Sequence, residues 1–221
     1  HLDGSPFFWP EGPVAILCIH GFSATTVEVR SIASFFRDNG YTTLGPLLPG
    51  HGTSPTDLNR TGWRDWLGAA EVSLSSLQKD YSKILVLGES MGALVALHLM
   101  ATHSDLLGAM IFAPAVKIRN LWLSQFLWPF KESLKKGPPN ADIPQQSYKV
   151  FPLKAAASLF AFQARIKKML PSIKQPVLIF QGTKDRTIDP IGALYVYENI
   201  SSTNKDLVIL KESEHIILLD H

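Results

Sequence analysis

Leu85-Val86-Leu87-Gly88-Glu89-Ser90-Met91-Gly92 is the stretch that decides the fold of this 221-residue chain. From Ile84 to Leu87 the residues are branched and apolar at successive positions, the pattern of a strand buried on both faces of a parallel sheet. From Met91 to Met100 the spacing turns helical, with Leu94, Leu97 and Met100 three apart. The Gly-x-Ser-x-Gly pattern lies between the two, in a turn so tight that the serine must adopt a strained backbone conformation. A side chain at Gly88 or Gly92 would strike the neighbouring strand or helix. Such a turn holds the Ser90 hydroxyl clear of the sheet, and the following helix points its free amides and positive dipole end at any charge that forms there.

The chain is long enough to bury a sizeable core as one domain, or one domain with an insertion. It is 46% apolar and 18% charged, the balance of a globular protein, and no run of about 18 uncharged apolar residues reads as a membrane span. Stable membrane insertion is not expected. The net charge is only +2, and basic residues cluster only at Lys135-Lys136 and Lys167-Lys168, so no stripe marks a nucleic-acid face. Lys167-Lys168 reads as solvated surface. A single cysteine, Cys18, lies in the apolar run Ala15 to Ile19 and reads as core filler, which excludes an internal disulfide and leans the compartment to cytoplasm. His1-Leu2-Asp3-Gly4 has neither an initiator Met nor a signal-peptide apolar region, and is expected to be an expression scar, a processed end or a fragment edge.

Phe7-Phe8-Trp9 before Pro10 reads as a short edge strand and Val14 to Ile19 as the first strong strand, ending at His20-Gly21-Phe22. Helical spacing at Val29, Ile32, Phe35 and Phe36, stopped by Gly40, leads to a strand over Tyr41 to Leu44, a βαβ unit. Gly45 to Gly52 is too rich in glycine and proline for helix or strand. Trp63 to Leu77 reads as a helix with Trp66, Ala70, Leu74 and Leu77 on one face. Gly108 to Ala113 is another strand. From Pro114 to Ser172 no β-patterning is visible, and helical runs over Asn120 to Phe130 and Leu153 to Leu170 indicate an inserted subdomain; three prolines interrupt Lys136 to Pro144. Strand Val177 to Phe180, helix Pro190 to Asn199 with Asp189 as N-cap, and strand Leu207 to Leu210 complete an α/β pattern with a mostly parallel sheet flanked by helices.

In such sheets chemistry collects beyond the carboxyl ends of the strands. Those positions hold His20-Gly21-Phe22, Ser90, Gly182-Thr183-Lys184-Asp185 and Glu212-Ser213-Glu214-His215, so a serine, an aspartate and a histidine follow in that order. A serine hydroxyl needs a base to take its proton as it attacks, and a histidine titrating near ~6.5 can take that proton and return it to a leaving group. An aspartate behind the histidine selects its tautomer and stabilises the imidazolium. The oxyanion formed at an attacked carbonyl needs two amide donors, for which Phe22 and Met91 are placed. Asp189, four residues past Asp185, is an alternative acid. His20 and His51 read as supports of the oxyanion turn. His98 and His103 stand at the wrong interval to share a helix face, and no metal motif is present.

The ordered set of Phe7-Phe8, His20-Gly21-Phe22, Gly50-His51-Gly52, Gly62-Trp63-Arg64-Asp65-Trp66, the Ser90 turn, Asp185 and His215 resembles the α/β-hydrolase superfamily, and more closely the small bacterial carboxylesterases and monoacylglycerol lipases. The resemblance covers nearly the whole chain. It implies an α/β-hydrolase core over residues 1–113 and 173–221 with a small helical cap over 114–172. It also implies Ser90 as nucleophile, His215 as base, Asp185 as orienter, and Phe22 and Met91 as oxyanion donors. No cofactor and no metal are implied, and the expected partner is a small lipophilic ester of short to medium chain, or a monoacylglycerol. Trp122, Phe126 and Trp128 stand either as a substrate-facing wall or as ordinary packing of the cap. Glu89 stands where relatives often carry Leu or His, and Ala93 replaces a second glycine. The chain ends at His221, six residues past His215 where relatives carry a final helix, so a truncated chain is expected. Thioesterase, acyltransferase or carbon–carbon hydrolase activity, or a non-catalytic binding protein, would suit the same fold. Oligomeric state is not legible.

Overall fold

The structure, a computed structural model, describes residues 2–137 and 144–219. Its centre is a seven-stranded sheet in the order β1-β3-β2-β4-β5-β8-β9. These strands are β1 (Phe7–Trp9), β2 (Val14–Ile19), β3 (Thr42–Gly45), β4 (Lys83–Glu89), β5 (Gly108–Phe112), β8 (Val177–Gly182) and β9 (Lys205–Leu210). β1 pairs antiparallel to β3 at the edge, and every other neighbour is parallel. Helices α1 (Val27–Asp38), α3 (Trp63–Gln78), α4 (Met91–Thr102) and α7 (Ile191–Asn199) provide four of the crossovers, and the stretch between β5 and β8 the fifth.

Strand alternation divides the core in two. From β2, Ala15, Leu17 and Ile19 join Trp66, Leu74 and Leu94 in the larger cluster, while Ile16 and Cys18 join Val29, Ala33 and Leu87 beneath α1. Cys18 is fully buried there, and burial pushes its thiol pKa up. Phe112 and Phe180 stack across β5 and β8 with centroids 4.6 Å apart.

Several elements differ from the sequence expectation. The short helix α2 (Pro55–Asn59) lies in a stretch not assigned from pattern; Ser54 caps it by accepting the Asp57 amide at 3.1 Å. Buried positions in α4 run without a break from Met91 to Met100, because the helix is enclosed by the sheet, α3 and α6 (Leu153–Met169) rather than exposing one face. Residues 114–172 are not purely helical. A 3-10 turn (Leu121–Leu123) and α5 (Ser124–Leu127) are followed by an antiparallel pair, β6 (Ser133–Lys135) and β7 (Val150–Pro152), before α6 begins. Three-residue strands are too short to show alternation, which is why the pattern missed them. Most of the proline-interrupted link, residues 138–143, lies outside the described residues. α7 begins at Ile191, with Pro190 rather than Asp189 in the cap position, although Asp189 Oδ1 accepts the Ile191 amide at 3.2 Å. No helix among the described residues is long and apolar enough to cross a membrane.

Candidate active site

Ser90 sits between β4 and α4 at φ 57° and ψ −112°, a positive φ that a serine accepts only when its surroundings enforce it. Those surroundings are two glycines against which nothing larger fits. A Cβ at Gly88 would lie 2.3 Å from the Gly92 oxygen, and one at Gly92 would lie 2.1 Å from the Ile19 oxygen. The turn is tied down on both sides, since the Ser90 amide donates to Phe112 O at 2.9 Å and Ser90 O accepts the Ala115 amide at 3.2 Å.

His215, after β9, spans the gap between serine and acid. Its Nδ1 is 2.8 Å from Asp185 Oδ2 and its Nε2 is 3.1 Å from Ser90 Oγ. The carboxylate only accepts, so Nδ1 carries the proton and Nε2 is left to accept the Ser90 hydroxyl. Asp185 is itself heavily engaged: Oδ1 accepts the Thr187 and Ile188 amides, each at 2.8 Å, and Oδ2 also accepts Gln181 Nε2 at 3.2 Å. Burial pushes its carboxyl pKa up, but the His215 hydrogen bond and charge and the two amides outweigh burial and hold it below the ordinary value. Asp189 is turned elsewhere, paired with Lys117 Nζ at 3.0 Å. Of the two aspartates, the structure brings Asp185 to the histidine.

Among the described residues, neither the Phe22 nor the Met91 amide has a hydrogen-bond partner. Phe22 follows Gly21, which lies against the Ser90 side chain, and Met91 follows Ser90 and opens the twelve-residue α4, whose dipole favours negative charge at this end. The Phe22 turn is braced from below. His20 Nε2 accepts the Leu48 amide at 3.1 Å, and its Nδ1 donates to Gly21 O at 2.9 Å. His51 stands edge-on to His20 at 4.9 Å, with its Nδ1 3.1 Å from Pro49 O. The Phe22 ring packs on Trp66 and on Phe151 from β7.

Other residues here carried no sequence signal. Glu28 Oε2 accepts the Gly21 amide at 2.7 Å, Lys136 Nζ donates to Ser23 Oγ at 2.5 Å, and Gln181 supports Asp185. Their neighbours in space are remote in sequence, so no local pattern marks them. Trp122, Phe126 and Trp128 are exposed, Trp122 and Phe126 meeting edge to face and Lys154 lying over Trp128. Trp122 also lines a cavity of about 270 Å³ with Phe160, Gln163 and Lys167. His98 is buried in α4 beside Phe162, whereas His103 pairs with Glu71. Among the described residues no group of three or more His, Cys, Asp or Glu could hold a metal ion.

Serine, acid and histidine each leave the carboxyl end of a different parallel strand, which is the layout of the α/β-hydrolases as a class. Comparison with known proteins narrows the class. The family described as serine aminopeptidase, S33 matches residues 12–150 and 144–221, and the chain belongs to that family. It is 32% identical over 225 residues to the thermostable monoacylglycerol lipase of Bacillus sp. strain H-257, covering 100% of this chain and 90% of that one. It is 25% identical over 221 residues to a carboxylesterase of Bacillus subtilis strain 168, covering 97% and 89%. A solved structure from work on LipS and LipT, two metagenome-derived lipolytic enzymes, superposes with a TM-score of 0.94 at 25% identity, over 99% of this chain and 91% of that one. The monoacylglycerol lipase of Paleococcus ferrophilus shares the fold with a TM-score of 0.79 at 20% identity, over 96% and 90%.

Proposed function

We propose that this protein is a serine hydrolase of carboxylic esters, acting on lipophilic esters of short to medium chain or on monoacylglycerols. The observation that carries the reading is the His215 ring joining Ser90 Oγ to Asp185 beside the unpartnered Phe22 and Met91 amides. In this reading Ser90 Oγ attacks the ester carbonyl while His215 Nε2 takes its proton, and the resulting oxyanion accepts from Phe22 and Met91 N–H. The imidazolium, stabilised by Asp185, returns the proton to the departing alkoxide, leaving an acyl-serine and a free alcohol. Water then repeats the cycle, its proton going to His215 and its oxygen to the acyl carbon, and the acid departs. Residues 114–172 serve as the cap over the ester. The choice of ester as substrate is supported by the lipase and carboxylesterase relatives.

The test is hydrolysis of a p-nitrophenyl ester series from short to long acyl chains, with Ser90→Ala measured beside the wild type. Removing such a nucleophile typically lowers turnover by ~10⁶. An optimum at one chain length that vanishes in the variant is the expected result. Turnover untouched by the substitution, or none with any ester and no labelling by a serine-directed phosphonate, would overturn it.

A further inference from the structure

Behind the Ser90 turn lie two buried carboxylates, Glu28 on α1 and Glu89, the residue before the serine. A Cβ on Gly21 would stand 2.9 Å from Glu28 Oε2, 3.3 Å from Ser90 Cβ and 3.6 Å from the backbone carbonyl oxygen of Glu89, so the Glu28 carboxylate meets the Glu89 backbone and the Ser90 side chain around one glycine. Glu28 Oε2 accepts the Gly21 amide at 2.7 Å, one residue before the Phe22 N–H. Glu89 Oε1 accepts the Leu218 amide at 3.3 Å, in the short turn (Ile217–Leu219) that follows His215 and packs on α1. Its other oxygen, Oε2, is sealed from solvent and has no hydrogen-bond partner.

Neither carboxylate takes part in an ion pair among the described residues. The charged and titratable groups facing Glu28 are Glu89, His215 and Lys136, and those facing Glu89 are Glu28 and Asp185. A buried carboxylate without a counter-ion neutralises itself rather than stay charged, and two that share a site hold a proton between them. The surroundings distinguish the partners. Glu28 has a short amide donor and faces the Lys136 ammonium, which suits an anion; Glu89 accepts a longer amide bond, the charged groups it faces are carboxylates, and one of its oxygens is bare, which suits an acid. Burial pushes both carboxyls up; for Glu28 the Gly21 amide and the Lys136 charge oppose it, whereas for Glu89 the Glu28 charge adds to it and carries Glu89 well above the ordinary carboxylate range.

We propose that Glu28 and Glu89 form a buried acid pair holding one proton, on Glu89 Oε2, and that both are positioning residues for the reaction at Ser90. Glu28 sets the oxyanion turn through the Gly21 N–H, and Glu89 ties down the segment after His215 through the Leu218 N–H. This rests on the ester-hydrolase reading. While the proton stays, one negative charge lies behind the turn. When it leaves at high pH a second appears beside the atoms that must receive the oxyanion, and turnover falls by about tenfold or more. The proton belongs to the pair, so altering either member moves its loss.

Infrared difference spectra of the whole protein, wild type minus Glu89→Gln at neutral pH, should show the C=O stretch of a protonated carboxylic acid. That band should titrate away over the alkaline range in which wild-type kcat on a soluble p-nitrophenyl ester falls. In Glu89→Gln, whose amide oxygen still accepts from Leu218, the fall should shrink to less than about twofold. No acid band, or an undiminished fall in the variant, overturns the proposal. Should Glu89→Gln fail to fold, Glu28→Gln makes the same test: losing the Glu28 charge should shift the loss of the band to lower pH, and an unmoved titration overturns the pair. An acid band in a protein without Ser90-dependent turnover upholds the pair and overturns the functional reading alone.

Discussion

His20 and His51 are held neutral by burial, which lowers their pKa to about 4 and about 3, the second also through the first. An unfolded chain binds a proton at each near ~6.5, where the folded one cannot. The stability tied to these rings is therefore complete above about pH 6.5 and is lost as pH falls toward the folded values, on the order of 3 kcal/mol for His20. Urea midpoints should drop steadily from about pH 7 to pH 4, and His51→Gln should flatten that slope while lowering stability at neutral pH. An unchanged slope would mean that the rings are not desolvated as the structure has them. Asp185 acts in a lower window: its pKa is depressed, so its contribution is present above ~3.9 and is lost only as pH falls below that through the folded value.

The first turns of α3 and α6 are capped by side chains of other helices. α6 starts behind Pro152, which has no side chain to offer, and its Lys154 and Ala155 amides donate instead to Asn59 Oδ1 of α2 at 3.1 and 3.2 Å. Asn59 Nδ2 also donates to Glu132 O at 2.9 Å. At the start of α3 the Trp63 amide donates to Ser158 Oγ of α6 at 2.9 Å. Asn59→Ala removes the acceptor of two helix-end amides and should cost about 1–2 kcal/mol in chemical denaturation. A change of only a few tenths would show that water replaces the asparagine. None of this is visible locally, because each cap lies far along the chain from the helix it serves.

Gln146 and Tyr148, in the stretch between β6 and β7, clasp it to the loops after β2 and β3. The Tyr148 amide donates to Ser23 O at 3.0 Å, its hydroxyl donates to Gly50 O at 2.7 Å and accepts the Thr53 amide at 3.0 Å, and Thr25 Oγ1 donates to Gln146 Oε1 at 2.9 Å. Tyr148→Phe keeps the ring and removes only the hydroxyl. It should cost about 1 kcal/mol, read as a fall of roughly 2–4 °C in Tm. A larger loss in kcat/KM than in Tm would show that the clasp positions the Phe22 turn as well as stabilising the molecule; unchanged values of both would discount the clasp.

The strand, turn and helix around Ser90, the parallel architecture and the positions of Asp185 and His215 at strand ends were legible in the chain, because burial on both faces writes continuous apolar runs and a tight turn demands glycine. The preference for Asp185 over Asp189 came from the resemblance and not from local pattern: both follow β8, and the path of the backbone, which turns Ile188 and Thr187 amides onto one and Lys117 toward the other, separates them. The short hairpin of β6 and β7 escaped because three residues cannot display a period of two. Glu28, Gln181, Lys136 and Asn59 escaped for another reason: a polar side chain acquires its role from the partner that tertiary folding brings to it. Local chemistry, set by residue type and spacing, was written in the sequence. Which buried polar groups meet was decided by the packing of α1, the stretch between β5 and β8 and the turn after β9 around one serine.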